Sequence, residues 1–390
     1  MKKPLFTLLF TLLFASLCAF GQTLAPQTTP NPAAAGSVQP QWSVTPDGHV
    51  VLSWIEPVKS GGFALRYAVR GANGWSEART VVSNRHFFRH PAEVPEVIPV
   101  NDHLWMAHWV ENVESSEAEF VYVSSSTDGI HWGTPTMVNK DKSQVEHGLV
   151  SMVAGGNGEA SLFWLETPEG EDGPGYLMHS VVNAAGQPIK EERLESDVCN
   201  CCPTAVTRTA KGLLVAYRDR TKDDIRDISV LRFENGKWSQ SKNVHADGWK
   251  LNACPTNAAA VASRGDHVAL AWYTGAQNMP RVQIVFSTDG GVTFGKPVLV
   301  STGHAYGYTS IALADDGTAY VSWLQQGPGN VGQVLARAVS PTGVAGPAVQ
   351  VVEGGRMALG YPRVASAGSE TWIAWGDPKA SKVDTAILKH

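Results

Sequence analysis

The sequence predicts an all-β fold, a β-propeller of four-stranded blades, and three observations lead there. Seven aromatics close successive repeats, Trp54, Trp109, Trp164, Tyr217, Trp272, Trp323 and Trp375, at intervals of 51 to 55 residues. Self-similarity at a period near 50 is the mark of propeller blades. Thirty-eight Gly, 23 Pro and 13 Trp fit many short strands joined by tight turns, and no stretch shows a helical period. The count gives seven blades, with six as the alternative.

Met1-Lys2-Lys3, an apolar run from Pro4 to Phe20, and small residues at Ala19 and Gly21 together read as a secretory signal peptide over residues 1–21. Leu17 ahead of Cys18 is too bulky for a lipoprotein signal, so the expectation is an exported protein, periplasmic or extracellular, with no membrane contact after cleavage. Residues 22–37, rich in Pro, Thr, Ala and Gln, read as a linker. The repeat then occupies 38–390 as one domain, expected to be monomeric. A net charge of −5 without charged blocks argues against nucleic acid as a partner.

Unit one opens with Gln41-Trp42-Ser43-Val44, turns at Pro46-Asp47-Gly48, returns as His49–Trp54, and continues through Phe63–Val69 and Thr80–Val82. The pattern recurs with turns at Asn101-Asp102, Asp128-Gly129, Asn157-Gly158, Lys211-Gly212, Asn235-Gly236, Gly265-Asp266, Asp289-Gly290 and Asp316-Gly317. Asn-Gly and Asp-Gly supply the positive φ that short hairpins need. Unit seven ends with Val383–Leu388 as a third strand and lacks a fourth. An open ring would expose a strand edge, so the segment before unit one is expected to supply the missing strand.

Ser287-Thr288-Asp289-Gly290-Gly291-Val292-Thr293-Phe294 matches the pattern Ser-x-Asp-x-Gly-x-Thr-Trp/Phe at every defined position, and Ser126-Thr127-Asp128-Gly129-Ile130-His131-Trp132 is a copy one residue shorter. On these residues the chain resembles the sialidase-like, Asp-box (BNR-repeat) β-propeller superfamily. In that family the box folds the turn between a blade's third and fourth strands, so the resemblance implies an architectural role for Ser126, Asp128, Gly129, Trp132, Ser287, Asp289, Gly291 and Phe294. Familiar members have six blades, fewer than the count here.

Antiparallel order puts the loop leading into each innermost strand, and the loop leaving the second strand, on one face of the ring. That face gathers Arg89-His90-Pro91, Glu146-His147-Gly148, Cys199-Asn200-Cys201-Cys202-Pro203, Cys254-Pro255-Thr256, His304-Ala305-Tyr306 and Tyr361-Pro362-Arg363. Cysteines with His90, His147 and His304 are donors suited to copper or zinc. Four cysteines in an exported chain also suit one or two disulfides, since Cys202-Pro203-Thr204 and Cys254-Pro255-Thr256 begin adjacent inner strands, where a bridge would staple two blades. A redox-active thiol pair is the third reading. Adjacent Cys201 and Cys202 point to opposite sides of a strand and are not expected to bond to each other.

Tyr217-Arg218-Asp219-Arg220, with Asp223, Asp224, Arg226 and Asp227, brackets a loop on the same face. Arg218 either pairs with Asp227 to shape the loop or, with Asp219, Arg220 and Tyr308, binds an anionic or sugar ligand. The family resemblance implies three arginines around a carboxylate, a tyrosine nucleophile with a glutamate behind it, and an aspartate acid/base. Phe88-Arg89-His90-Pro91 resembles the family's Phe-Arg-Ile-Pro segment, with His for Ile. Arg218 and Arg363 would complete the triad, Tyr361 or Tyr308 would be the nucleophile with Glu146 its partner, and Asp219 joins the candidate catalytic set. The expectation is a binding protein for a glycan or small anionic ligand, metal-assisted or not. The alternatives are an exo-sialidase or related glycoside hydrolase, and a protein-interaction platform. The closing tryptophans are expected to be packing between blades.

Overall fold

The computed structural model describes residues 24–389 except 114–117, 171–172 and 378. The signal peptide expected over 1–21 lies outside the described residues. Seven antiparallel sheets follow one another along the chain, each of four strands or of four with the outermost split in two. They are blades one to seven of a closed β-propeller, as the seven closing aromatics predict. Helix is confined, among the described residues, to Arg356–Leu359 and two 3-10 turns.

Every closing aromatic falls on the second strand of its blade, from Val50–Pro57 in blade one to Glu370–Asp377 in blade seven. All seven are at most 3% exposed. They pack between sheets: Trp164 of blade three joins Met106 and Val121 of blade two, and Trp272 of blade five joins Leu214 and Ala216 of blade four. Burying an indole requires a partner for its N–H. Trp54 donates to Glu56 at 2.6 Å, Trp109 to Glu111 at 2.5 Å and Trp323 to Gln325 at 3.2 Å, each two residues farther along the strand.

Blade seven is completed from the other end of the chain. Ala25–Thr29, from the segment read as a linker, pairs antiparallel with Lys382–Lys389, with Ala25 opposite Lys389 and Thr29 opposite Thr385. The strand edge that the sequence left open is thereby paired.

The Asp boxes form the expected turns. Ser287 Oγ donates to Asp289 at 2.7 Å, and Asp289 accepts from the Thr293 amide and hydroxyl at 2.9 and 2.6 Å. In the shorter copy Asp128 accepts from the amides of Ile130 and His131, both at 2.8 Å. Gly291 has φ +82°, and a Cβ there would lie 2.0 Å from Leu214, so the box needs a glycine on two counts.

Candidate functional site

A cavity of about 550 Å³ opens on the face that carries the lead-in loops of blades two to five. The antiparallel order that predicted this face also decides which residues reach it. His90 approaches from the segment before blade two, Glu146 leads into blade three, Cys201 into blade four and Cys254 into blade five. Arg220 comes from the loop after the second strand of blade four. Five residues singled out in the sequence thus border one space.

Sequence reasoning missed Glu93, Glu119 and Thr167, and named Arg226 only as part of the charged loop. Glu119, Thr167 and Arg226 line the cavity. Glu93 lies beneath it, 1% exposed, and accepts from the amides of Leu149 and Val150. Burial pushes the Glu93 carboxyl up to about 8. Burial, with Glu93 and Glu146 nearby, pushes Glu119 up to about 9. A Cβ on Gly148 would stand 2.9 Å from Glu119 Oε2 and 3.1 Å from Glu93 Oε2, so the glycine makes room for two carboxyl groups on either side of one point. Only a glutamate within two residues of His90-Pro91 signalled Glu93, and nothing local signalled Glu119.

The three arginines expected to form a triad differ in what holds each of them. Arg218 is 1% exposed and donates to the carbonyls of Asn257, Arg226 and Tyr273 at 3.0, 2.6 and 2.9 Å, with its guanidinium over Trp249. Its donors are used inside the protein, and it does not pair with Asp227. Asp227 instead accepts from the amides of Gly248 and Trp249. Arg89 lies over the ring of Phe63, 3.9 Å from its centroid, and borders a separate cavity of about 150 Å³ shared with Tyr361. Arg363 stands beside the ring of Tyr361 at 5.5 Å.

Tyr361 donates its hydroxyl to the Thr256 carbonyl, and burial raises its pKa well above the ordinary value, the reverse of what an ionised nucleophile needs. Tyr308 packs against it with ring centroids 4.3 Å apart and accepts from Arg356 at 2.7 Å. Asp219 accepts from Ser229 Oγ at 3.0 Å and from the Arg220 amide at 2.9 Å, and burial raises its pKa. Arg220 is held at the cavity wall by Asp224 at 3.0 Å and by the Gly173 carbonyl at 2.8 Å.

The cysteines converge. Cys201 and Cys254 form a disulfide that joins the lead-in loops of blades four and five, with Cα atoms 6.0 Å apart. A bridge staples these two blades as expected, but through Cys201 and not through Cys202, whose Cys-Pro-Thr context matches that of Cys254. Cys199 and Cys202 are free and buried, with sulfurs 3.3 Å apart. Arg226 donates to Cys199 Sγ at 3.2 Å, and the Asn257 amide to Cys202 Sγ at 3.3 Å. Hydrogen bonding between the two sulfurs, with Arg218 and Arg226 close by, lowers the Cys199 thiol to about 6, while burial raises that of Cys202.

The three histidines expected to join the cysteines do not share one site. His90 accepts from the Ala92 amide at 3.2 Å and stacks on Phe88. His304 is exposed ahead of blade six, its ring 6.2 Å from that of Tyr306. His147 is buried, its Nδ1 beside the Glu119 and Val145 carbonyls at 2.8 and 3.1 Å. Its Nε2 has no hydrogen-bond partner and faces Glu166 at 3.6 Å and Asp141 at 4.0 Å. The three donor atoms lie within 4.8 Å of one another.

A family model described as the BNR repeat-like domain matches residues 64–321. No curated protein matches the chain in sequence. Among solved structures, the BP39L lectin from Burkholderia pseudomallei is 11% identical, with 91% of this chain and 97% of the lectin covered at a TM-score of 0.61. The α-L-arabinofuranosidase Arb93A of Fusarium graminearum is 12% identical, with 79% and 98% covered at a TM-score of 0.50. The Hadza microbial sialidase Hz136 is 15% identical at a TM-score of 0.46. The match takes in 74% of this chain and 63% of the sialidase, so the chain spans less than two thirds of that protein's length. At these identities the likeness is one of fold.

Proposed function

This chain belongs to the BNR repeat-like domain family, and from that premise we propose that it is an exported glycan-binding protein whose ligand occupies the cavity over blades two to five. The observation that carries the reading is the cavity's mixed lining, which brings Arg220 and Arg226, Glu119 and Glu146, and the apolar Phe88, Leu149 and Leu165 to one space. A sugar presents hydroxyls that need both donors and acceptors, and C–H faces that need apolar contact. Arg220, anchored by Asp224, supplies the cation for a sugar carboxylate.

Calorimetric titration of the purified chain with a neutral and a carboxylate-bearing monosaccharide, and with oligosaccharides of each, tests this. Binding of the acidic sugar is expected, weakened in Arg220→Met while the neutral sugar is unaffected. No binding of any of these sugars overturns the reading.

A second reading, glycoside hydrolysis, is favoured by Glu119. A carboxyl held protonated near neutral pH beside Glu146 is placed as a general acid would be. Arg218, spent on three backbone carbonyls, and Tyr361, buried with its pKa raised, argue against exo-sialidase chemistry in particular. Turnover of aryl glycosides that disappears in Glu119→Gln would support the hydrolase; absence of turnover across several leaves binding alone.

The candidate metal site is Asp141, His147 and Glu166, none of which lines the cavity. A neutral imidazole with two carboxylates suits zinc better than copper, and a zinc ion about 2.1 Å from each donor needs donor separations of about 3 to 4 Å. The separations of 3.6 and 4.0 Å fall there.

A further inference from the structure

Two buried free thiols beside a disulfide are more than packing requires. Cys199 Sγ lies 3.3 Å from Cys202 Sγ and 3.8 Å from Cys201 Sγ, and Arg226 donates to it at 3.2 Å. Cys201 is bonded to Cys254, and both line the cavity. Cys254 is exposed, whereas Cys199 and Cys202 are buried. The arrangement runs inward from a solvent-facing sulfur, through a disulfide, to a thiol held against a guanidinium.

We propose that these cysteines form a thiol–disulfide relay, in which the Cys199 thiolate attacks Cys201 Sγ and releases Cys254 as a thiolate into the cavity, ready to react with a small disulfide. One S–S bond, Cys199–Cys201, forms as another, Cys201–Cys254, breaks. The negative charge passes from Cys199 to Cys254, and no external oxidant or reductant is consumed. A disulfide-bearing ligand in the cavity then gains a bond from Cys254 to one of its sulfurs and loses the other sulfur as a thiolate.

Each element of the relay has a physical source. Thiolate, not thiol, is the nucleophile, and the guanidinium of Arg226, donating to Cys199 Sγ at 3.2 Å, favours that form. The Asn257 amide donates to Cys202 Sγ, which lies 3.3 Å from Cys199 Sγ, so the second thiol is held in place beside the first. Cys199 and Cys201 are two residues apart on one loop, with their sulfurs 3.8 Å apart. The sulfur chemistry is read without any sugar present, so its failure and that of the glycan reading are separable.

The test is a non-reducing peptide map of the native protein after exposure to iodoacetamide, followed by denaturation and a second alkylating agent of different mass. The expected result is the first label on Cys254, accumulating with time, in molecules that carry a Cys199–Cys201 bond, with Cys202 labelled only after denaturation. Oxidised glutathione in place of iodoacetamide is expected to cap the same sulfur as a mixed disulfide. In Cys199→Ser, which changes one atom, the Cys201–Cys254 bond should persist and Cys254 should stay unlabelled by either reagent. The relay is overturned if Cys254 in the wild-type protein never takes the first label, if Cys199→Ser leaves its labelling unchanged, or if the native protein contains a Cys199–Cys202 disulfide and no free thiol. The wild-type measurement decides the matter even if the variant does not fold.

Discussion

Glu166 faces His147 at 3.6 Å and leaves the indole N–H of Trp164 without a partner. In blades one, two and six the residue two positions beyond the closing tryptophan accepts that N–H, and in blade three it does not. An unpaired buried donor costs roughly 1 to 3 kcal/mol. The closing Trp375 of blade seven is likewise unpaired, but among the described residues only in blade three does the carboxyl two positions on face a buried imidazole and a second carboxyl, Asp141.

If these groups hold a cation, zinc added back to chelator-treated protein raises the Tm. In Glu166→Gln the increase is lost, while the fold is kept, because a glutamine there can accept from Trp164 as Gln325 does from Trp323. Differential scanning calorimetry with and without zinc reads both outcomes.

Stability should fall as pH rises above the usual carboxylate range. Glu93 and Glu119 are raised to about 8 and about 9 from an ordinary 4.5, so between these limits the folded state holds protons that the unfolded state has released. The stabilisation is complete below about 4.5 and is lost as pH rises through 8 to 9. For a group buried as Glu93 is, the effect is on the order of a few kcal/mol. Urea unfolding from pH 5 to 9 measures the slope, and Glu93→Gln should flatten it.

The bridge between blades four and five closes a loop of 53 residues. Chain-entropy arguments give such a loop about 4 kcal/mol, an upper figure because the unfolded chain is not random. Replacing Cys201 and Cys254 together with serine should lower the free energy of unfolding in urea by about 2 to 4 kcal/mol.

Two glycines separate conformational strain from steric clash. Gly265 has φ +58° with open space where a Cβ would stand, and Gly291 has φ +82° with Leu214 at 2.0 Å. Gly265→Ala should cost about 1 kcal/mol, the backbone term alone. Gly291→Ala should cost about 2 to 4 kcal/mol once overpacking is added. Equal losses on urea unfolding would show that the Asp-box turn relaxes around the methyl group.

The parts of the molecule legible in the sequence are those fixed by local rules. Trp54 through Trp375 recur because each blade must bury one large ring against its neighbour, and Asn-Gly and Asp-Gly mark hairpins because few other pairs accept the backbone angles. The missing strand of blade seven was legible from the cost of an unpaired edge, and Ala25–Thr29 fills it. The shared face of His90, Glu146, Arg220, Cys201 and Cys254 followed from strand order alone.

The roles of individual side chains on that face did not follow. Arg218 and Arg220 are two residues apart, yet one is spent on three backbone carbonyls and the other reaches the cavity wall. Cys201 and Cys202 are adjacent, yet one is bridged and the other is a buried thiol. The sequence by itself determined the ring of seven blades, because strand period, turn chemistry and edge closure act over a few residues or on the chain as a whole. Only the tertiary structure decided which sulfur meets which and where each arginine points. Those outcomes depend on carbonyls, rings and thiols supplied by other blades tens of residues away, at distances that no local pattern records.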